Sequence, residues 1–257
     1  MSLRRWLGGA LGAGLLLAAG ATWAAWWLGP RTLLAVSGLA ATHGRAEVAA
    51  RRVTPALRRD FAAVGLTWGA PLLLRSFKLE STLELWAERD GRYVLFRSYP
   101  ICAWSGGLGP KLRQGDRQAP EGFYRVGPGQ MNPASRYHLS FDLGYPNAYD
   151  RAHARNGDYL MVHGSCVSVG CYALGDAAIE EVYTLMSAAF ASGSDGVPVH
   201  AFPFRFDRDD RAQRLADPRW GAFWHELAAG WDAFETARRL PAIAAADGHY
   251  VVTPVAP

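Results

Sequence analysis

The chain has 257 residues, half of them hydrophobic, and a formal net charge of +4 at pH 7. This length supports one substantial core with extensions. The positive charge is carried almost entirely by arginine, and the densest group is Arg51, Arg52, Arg58 and Arg59, which has the spacing of one solvated helix face. These arginines are not interleaved with aromatic residues, so nucleic acid is excluded as a partner.

The N-terminal segment predicts export from the cytoplasm. Residues 6–28 contain no charged side chain, and about 17 to 25 apolar residues suffice to cross a bilayer. Arg4 and Arg5 would stay on the cytoplasmic side and send the rest of the chain outward. We therefore expect residues 1–30 to anchor a periplasmic protein to the inner membrane. A cleaved signal peptide is the alternative, because Ala21 to Ala25 offers small residues for a cut.

Residues 31–69 are predicted to be a linker that contains a short amphipathic helix. Thr54 is suited to cap that helix and Pro55 to stand in its first turn. Gly65 is expected to end it. The apolar face carries Leu57, Phe61 and Val64.

Residues 70–207 alternate apolar and polar positions, the pattern of strands in a sheet. Thr82–Trp86 and Arg92–Phe96 flank an Asp-Gly pair, which predicts a hairpin. Pro198 and Pro203 predict that the last strand lies at a sheet edge, because proline donates no ladder hydrogen bond. The remaining predicted strands are Gly122–Val126, Tyr137–Leu143, Tyr159–Val162 and Val197–Phe206.

Two helices are predicted in the C-terminal half. Asp176 is expected to cap the first and Gly193 to end it. The second, Pro218–Leu240, carries an apolar stripe that suits packing better than ligand binding. That stripe consists of Phe223, Leu227, Trp231 and Phe234. Residues 208–257 are therefore predicted to be a mainly helical extension, and the fold class is α+β, mostly β, with peripheral helices.

The segment His163–Tyr172 has the residues of a catalytic site, and its sequence is HGSCVSVGCY. A free thiol is mostly protonated at neutral pH and needs a base, which His163 at a strand end would supply to Cys171 after a hairpin-like loop. Gly170 lets the main chain approach a substrate carbonyl closely. The backbone amides of Gly170, Cys171 and Tyr172 are candidates for an oxyanion hole.

Three cysteines are an odd number for an exported protein. The simplest explanation is that Cys102 and Cys166 are structural, either buried or bridged, while Cys171 stays free for chemistry. A zinc site is the competing interpretation of the same residues. A closed zinc site needs four ligands, and no further Cys or His motif completes one, so we predict no metal and no cofactor.

The chain resembles the L,D-transpeptidases with a YkuD-type catalytic domain. The matching residues are His163-Gly164 and Ser168-Val169-Gly170-Cys171. The short His-to-Cys loop, Val169 and Tyr172-Ala173 depart from the broader family and resemble its YafK-like branch. Further segments similar to that branch are Leu108–Asp116, Pro120–Tyr124, Tyr137–Phe141 and Gly144–Asp150.

The resemblance implies an envelope enzyme with a catalytic domain over residues 70–207 that acts on peptidoglycan stem peptides at diaminopimelate. It implies Cys171 as nucleophile and His163 as base, with backbone near Gly164 orienting the imidazole. Gly170 and Ser168 would shape the nucleophile loop, the latter through its hydroxyl. Candidate substrate contacts are Tyr137, His138, Tyr145, Asn147, Arg151 and Tyr172. For each of these, local structural hydrogen bonding is the alternative.

Three functions stay open at this stage. Transpeptidation and hydrolysis share an acyl-enzyme and differ only in the nucleophile that resolves it. Some YafK-like members resemble hydrolases that detach a murein-linked outer-membrane lipoprotein from diaminopimelate. The third function is that of an inactive, membrane-anchored domain that binds murein.

Overall fold

The structure, a computed structural model, describes residues 30–256, with side chains from residue 44 onward. The predicted N-terminal anchor lies outside these residues, and no helix within them is long and apolar enough to span a bilayer. The chain divides into two compact units, residues 1–45 and residues 46–257. The site lies in the second unit, and the predicted domain borders stay predictions.

The described residues form a mixed α+β fold with mostly sheet, which confirms the predicted class. The helices are α1 (Pro30–Ala63), α2 (Ala148–Ala152), α3 (Asp176–Ala191), α4 (Arg211–Leu215) and α5 (Gly221–Ala237). The strands are β1 (Leu72–Phe77), β2 (Thr82–Arg89), β3 (Arg92–Pro100), β4 (Gly122–Val126), β5 (Met131–Asn132), β6 (Ser140–Asp142), β7 (Met161–His163), β8 (Tyr172–Ala173), β9 (Val197–Phe202), β10 (Ala242–Ala246) and β11 (His249–Thr253).

The strands of the described residues form two larger sheets and a hairpin. The five-stranded sheet has the order β3-β2-β1-β9-β4, and the four-stranded sheet has the order β5-β6-β7-β8. The pairs β1·β9 and β7·β8 are parallel, and the other paired strands are antiparallel. The catalytic segment identified in the sequence lies at β7 and β8.

The predicted hairpin forms between β2 and β3. Its strands pair antiparallel from Thr82↔Pro100 to Arg89↔Arg92. Asp90 and Gly91 have φ of 53° and 76°, the left-handed backbone that a tight hairpin turn requires. The Asp-Gly signal therefore identified this turn correctly.

Strand β9 is an interior strand, so the predicted edge position is wrong. It pairs with β1 on one side and β4 on the other. The ladder to β1 begins at Leu74↔Val199, one residue after Pro198, and Pro203 follows the last strand residue. Neither proline therefore removes a hydrogen bond from the ladder to β1. Pro198 does lie in the ladder to β4, where it pairs with Arg125 next to the terminal pair Val126↔Val197, so the sheet accommodates a proline near the end of an interior strand.

Helix α1 does not begin at Thr54. It runs through Pro55, which lies inside the helix, because proline removes only one intrahelical hydrogen bond and the flanking turns continue. Leu57 and Phe61 are buried in the core as predicted, whereas Val64 follows the helix and is exposed. The helix therefore packs against the domain through its last turns.

The two C-terminal helices lie where the sequence placed them. Helix α3 begins at Asp176 and ends two residues before Gly193, but its N-cap is Gly175, so the prediction that Asp176 caps this helix is wrong. Asp176 instead accepts a hydrogen bond from the Ser165 amide. The predicted apolar stripe of α5 is fully used in packing, and its four side chains are buried. A hairpin, β10–β11, follows α5 and turns at Asp247-Gly248, both with positive φ. The C-terminal extension therefore contains a strand pair that was not predicted.

Candidate active site

The register of β7 and β8 brings His163 and Cys171 to one face. Val162 pairs with Tyr172 and both are buried in the core. Side chains alternate along a strand, so His163 and the residue before Tyr172 point to the opposite face. The strand spacing and rise put the Cα atoms of His163 and Cys171 about 8 Å apart, within the combined reach of the two side chains.

The strands are parallel, which differs from the expected hairpin-like connection between histidine and cysteine. Residues 164–171 fold back as a compact loop. Leu174 donates to the carbonyl of His163 at 2.9 Å, and Gly175 donates to that of Ser165 at 2.9 Å. Cys102 donates to the carbonyl of Ala173 at 2.9 Å, so a segment distant in the sequence also holds the end of this loop.

The imidazole of His163 is held in one tautomer. Its Nδ1 lies 2.6 Å from the carbonyl oxygen of Gly164, and because a carbonyl only accepts, Nδ1 carries the proton. Nε2 is then left with its lone pair, as a general base requires. The ring of Tyr137 stacks on the imidazole with centroids 4.7 Å apart, which restricts rotation of the histidine.

The thiol of Cys171 is free and partly exposed. Its Sγ accepts a hydrogen bond from the amide of Met161 at 3.5 Å and donates to the carbonyl of Tyr159 at 3.6 Å. Both partners belong to the residues around the start of β7. The sulfur is therefore anchored beside the strand that carries His163.

Burial dominates the electrostatics of this pair. It lowers the pKa of His163 below its ordinary value, an effect that the hydrogen bond to Gly164 partly offsets. Burial also raises the pKa of Cys171. The hydrogen bond from the Met161 amide opposes this rise, the charge of Asp142 adds to it, and the charge of Lys111 opposes it. At neutral pH the resting pair is consequently a thiol and a neutral imidazole.

Serine side chains fix the backbone of the nucleophile loop. Ser168 Oγ donates to the carbonyl of Cys171 at 2.7 Å. The Gly170 amide donates to Ser105 Oγ at 2.6 Å and lies 3.3 Å from Ser168 Oγ. Gly170 has φ of +113°, a conformation that side chains disfavour. The Gly170 N–H is therefore engaged, and the Tyr172 amide belongs to the parallel ladder between β7 and β8. Of the three oxyanion donors predicted here, the Cys171 amide remains.

Gly164 lies where no side chain fits. A Cβ at this position would lie 2.7 Å from Asp176 Oδ1 and 2.7 Å from the carbonyl oxygen of Tyr137. Asp176 also accepts from the Ser165 amide at 2.7 Å. This close packing connects the residue after His163 to the start of α3, and it keeps the Gly164 carbonyl within reach of the imidazole.

Cys102 and Cys166 form a disulfide with Cα atoms 5.6 Å apart. Of the two structural states proposed from the sequence, the bridged state is the one observed. Both residues are exposed rather than buried. The bridge ties the His163–Cys171 loop to the segment after β3, while Cys171 remains free.

Two of the predicted substrate contacts lie beside the histidine. Tyr137 is 45% exposed, so its ring can contact both His163 and a ligand. His138 has φ of +69°, and its Nε2 lies 2.6 Å from the buried carboxylate of Glu180. Arg52 of α1 pairs with the same carboxylate. His138 thus has the structural hydrogen bonding given above as the alternative.

The other predicted contacts are mostly engaged in packing. Tyr172 is fully buried and donates to the Pro120 carbonyl at 2.6 Å, so the prediction that its side chain contacts substrate is contradicted. Tyr145 is 5% exposed and donates to the Lys111 carbonyl at 3.2 Å. The rings of Tyr172 and Tyr145 are both part of the hydrophobic core.

Asn147 and Arg151 lie on the loop and helix after β6. Asn147 caps α2 through the Asp150 amide, and its amide group donates to the carbonyl of Phe123 and the hydroxyl of Tyr250, each at 2.8 Å. Arg151 is exposed and donates to the Pro146 carbonyl. Asn147 is therefore structural, whereas the guanidinium of Arg151 is accessible.

Three residues at the site have no role in the sequence prediction. They are Ser105, which accepts a hydrogen bond from the Gly170 amide, and two charged residues, Lys111 and Asp142, which each act on the pKa of Cys171. The signal for Lys111 was present in the segment Leu108–Asp116, whereas nothing local indicates Ser105. Within the described residues, no three His, Cys, Asp or Glu side chains are grouped to hold a metal ion.

Comparisons with known proteins match the region of the chain that contains these residues. The profile of the YkuD family, described as the L,D-transpeptidase catalytic domain, matches residues 80–200. YafK of Escherichia coli (strain K12), whose name presents it as an L,D-transpeptidase of unproven activity, is 44% identical over 185 residues. That match covers 72% of this chain and 75% of YafK. The chain belongs to the YkuD family of L,D-transpeptidase catalytic domains. The YafK-like branch inferred from the motifs is confirmed.

Further proteins similar to this YkuD-family chain were found. YafK of Escherichia coli O157:H7 matches with the same identity and coverage, 44% over 185 residues. The helical cell shape determining protein Pgp2 of Campylobacter jejuni has a TM-score of 0.43 at 20% identity, over 70% of this chain and 64% of that one. Bd1075 of Bdellovibrio bacteriovorus has a TM-score of 0.37 at 19% identity, over 64% of this chain and 60% of that one.

Proposed function

We propose that this chain is a cysteine-dependent peptidoglycan enzyme, an L,D-transpeptidase that acts on stem peptides at diaminopimelate. The observation that carries the proposal is a free, partly exposed thiol at Cys171, held beside the strand that ends at His163, whose imidazole Nδ1 is bound to the Gly164 carbonyl. Family membership supports the reaction class. The substrate class follows from the resemblance to the YkuD family.

The reaction begins with proton transfer from a neutral thiol. His163 Nε2 takes the Cys171 proton while the sulfur attacks the substrate carbonyl carbon, forming a C–S bond and an oxyanion. The amide of Cys171 is the predicted donor that remains to stabilise the oxyanion. The C–N bond then breaks, the imidazolium returns its proton to the leaving amine, and a thioester on Cys171 remains.

Transfer and hydrolysis diverge at the thioester. In transfer, the amine of a second stem peptide attacks the acyl carbon, His163 takes the amine proton, and the Cys171 thiol is regenerated. In hydrolysis, water performs the same step. The partial exposure of Cys171 favours water as a second candidate nucleophile. The hydrolytic reaction would release a murein-linked outer-membrane lipoprotein from diaminopimelate.

We further propose that the enzyme works in the periplasm, held at the inner membrane by residues 1–30. An uncharged stretch over residues 6–28 supports the anchor. The disulfide between Cys102 and Cys166 supports an oxidising compartment, because cytosolic thiols are kept reduced. Gel mobility of the mature protein from membrane fractions, compared with the full-length chain, tests whether the segment is retained.

The decisive experiment uses purified murein sacculi that carry bound lipoprotein. Products are analysed by mass spectrometry after incubation with wild type, Cys171→Ala and, as a matched control, Ser187→Ala, an exposed residue on α3. Newly joined diaminopimelate peptides identify transfer, and released lipoprotein fragments identify hydrolysis. Both products should disappear in Cys171→Ala and persist in Ser187→Ala. Unchanged products from Cys171→Ala, or no product from wild type, would reject the enzymatic proposal in favour of a murein-binding domain.

A further inference from the structure

A cavity lies at the β4 edge of the five-stranded sheet. It has a volume of about 520 Å³, within the roughly 300 to 1,000 Å³ of small-ligand sites. Its walls come from β4, the loop after β6, the start of β9 and the segment leading into β10. The lining residues are Phe123, Tyr124, Arg125, Gly144, Pro146, Asn147, Ala148, Arg151, Pro198, His200, Leu240, Pro241 and Ile243.

The charge of this cavity has one sign. Arg125 and Arg151 both line it, and no Asp or Glu occurs among its lining residues, all of which lie in the described part of the chain. The Arg125 side chain is 52% exposed and pairs with Asp195, itself 91% exposed. Exposed ion pairs contribute little stability, so an anion can replace Asp195 at small cost. Arg151 donates to the neutral carbonyl of Pro146.

The inner wall offers a polar atom without a partner. His200 is 4% exposed, and its Nδ1 has no hydrogen-bond partner within the described residues. Burial, reinforced by the charge of Arg75, lowers the pKa of His200 to about 3, so the imidazole is neutral. Buried polar atoms are normally paired, but His200 Nδ1 is itself shielded from solvent, so the polar ligand contacts in this cavity are assigned to its arginine residues.

The remaining walls are apolar. Phe123, Pro198 and Ile243 contribute rings and aliphatic surface, and Asn147 is already engaged with Phe123 and Tyr250. A ligand that fits must therefore combine an anionic group for the guanidinium groups with an apolar portion for the walls. A carboxylate matches the planar fork of arginine in two hydrogen bonds. An apolar side chain next to a free carboxylate is the chemistry of a peptide C-terminus.

We propose that this cavity binds the C-terminal carboxylate and last apolar side chain of a peptide, at a site separate from Cys171. Arg125 and Arg151 hold the carboxylate, and the apolar walls hold the side chain. The loop Gly144–Ala148 separates the cavity from Asp142, whose charge acts on Cys171. A peptide anchored here lies on the same domain as the thiol without occupying the reacting position.

The test measures binding, so its result does not depend on the proposed chemistry. N-acetyl-alanyl-leucine with a free carboxylate is titrated into the full-length chain by calorimetry, and the same dipeptide with a C-terminal amide is the matched ligand control. The free acid should bind at least about tenfold more tightly than the amide, the effect expected for a charge-assisted pair. Equal binding of acid and amide would overturn the proposal.

Protein variants locate the site. Arg125→Gln and Arg151→Gln should each weaken binding of the free acid by about tenfold, while Arg59→Gln, an exposed arginine on α1, should leave it unchanged. Cys171→Ala should also bind like wild type. Loss of binding in Cys171→Ala alone would place the peptide at the thiol and overturn the proposal.

A folding control and an anion control complete the design. Circular dichroism and thermal melting of each variant show whether it is folded. Arg125→Lys is a second variant, which keeps the charge but loses the planar guanidinium fork, and the free-acid dipeptide is titrated into it in the same way. Inorganic phosphate is titrated in parallel. Phosphate binding as tight as that of the dipeptide would show a general anion site and contradict the peptide assignment.

Discussion

The imidazole of His138 lies 2.6 Å from the carboxylate of Glu180, a residue that is 1% exposed. The same carboxylate pairs with Arg52 of α1. His138 follows Tyr137, whose ring stacks on His163. A charged group on α3 thus connects the N-terminal helix to the residues that support the histidine.

Replacing Glu180 by alanine should therefore destabilise the fold. The change removes a charged acceptor from a buried position, and we expect the free energy of unfolding to fall by about 2 to 3 kcal/mol. Arg52→Ala should have a much smaller effect, because the Arg52 side chain is 63% exposed. Urea denaturation measures both. Glu47→Ala, an exposed carboxylate on the same helix as Arg52, is the control, and an equal loss in Glu47→Ala would contradict the expectation.

The pKa directions at the site predict how the thiol responds to pH. Burial raises the pKa of Cys171 above the ordinary 9.0 and lowers that of His163 below 6.5. Alkylation by iodoacetamide, which follows the thiolate, should therefore keep rising as pH increases through 9. Turnover should be retained from neutral pH down to below pH 6.5 and fall only when His163 becomes protonated.

The measurement compares alkylation rates of the protein with those of free N-acetylcysteine between about pH 5 and pH 10, a range that brackets the ordinary pKa values of both groups. Cys171 is the one free cysteine among the described residues, so labelling reports on it alone. A reactive plateau between pH 5 and pH 7 would indicate a thiolate–imidazolium pair and contradict the neutral resting state.

Gly164→Ala tests the packing behind the histidine. The added Cβ would lie 2.7 Å from both the Tyr137 carbonyl and Asp176 Oδ1, so the backbone must shift. We expect a loss of about 1 to 3 kcal/mol in unfolding free energy, together with a lower kcat, because the Nδ1 acceptor moves with the backbone. Gly129→Ala, where a Cβ meets nothing within 4 Å, is the matched control. Unchanged kcat in a folded Gly164→Ala protein would show that the Gly164 carbonyl does not orient His163.

The disulfide should contribute strongly to stability. Cys102 and Cys166 are separated by 64 residues, and closing a loop of that size stabilises a fold by about 4 kcal/mol in the chain-entropy description. A Cys102→Ser, Cys166→Ser double variant should therefore unfold at markedly lower urea concentration. The thiol count in denaturant should be one for the oxidised chain and three after reduction, the total in the sequence. Three titratable thiols before reduction would exclude the bridge.

Residues close together in the sequence allowed several features to be predicted correctly. The Asp90-Gly91 turn, the position of His163 at a strand end and the apolar stripe of α5 depend on local conformation and periodicity. The Asp247-Gly248 turn of the C-terminal hairpin carried the same signal as Asp90-Gly91. It was missed because β10 is a run of alanines with one isoleucine, so it has a single β-branched residue and no aromatic residue to indicate a strand.

The sequence by itself determined which residues are candidates for the chemistry of this protein. One histidine and one cysteine stand eight positions apart in a glycine-rich segment, and the odd number of cysteines distinguishes a reactive thiol from a bridged pair. These features depend on residue identity and short spacing. The family motifs in the same segment add the resemblance to the L,D-transpeptidases.

Only the tertiary structure decided which side chains surround the candidate site. Ser105 reaches Gly170 across 65 residues, and β9 became an interior strand because β1 and β4 pair on either side of it. Tyr172 and Asn147 looked accessible in the sequence but are committed to packing and capping. Such contacts join segments that are distant along the chain, and their free energy depends on the packed arrangement of both partners, which no local pattern contains.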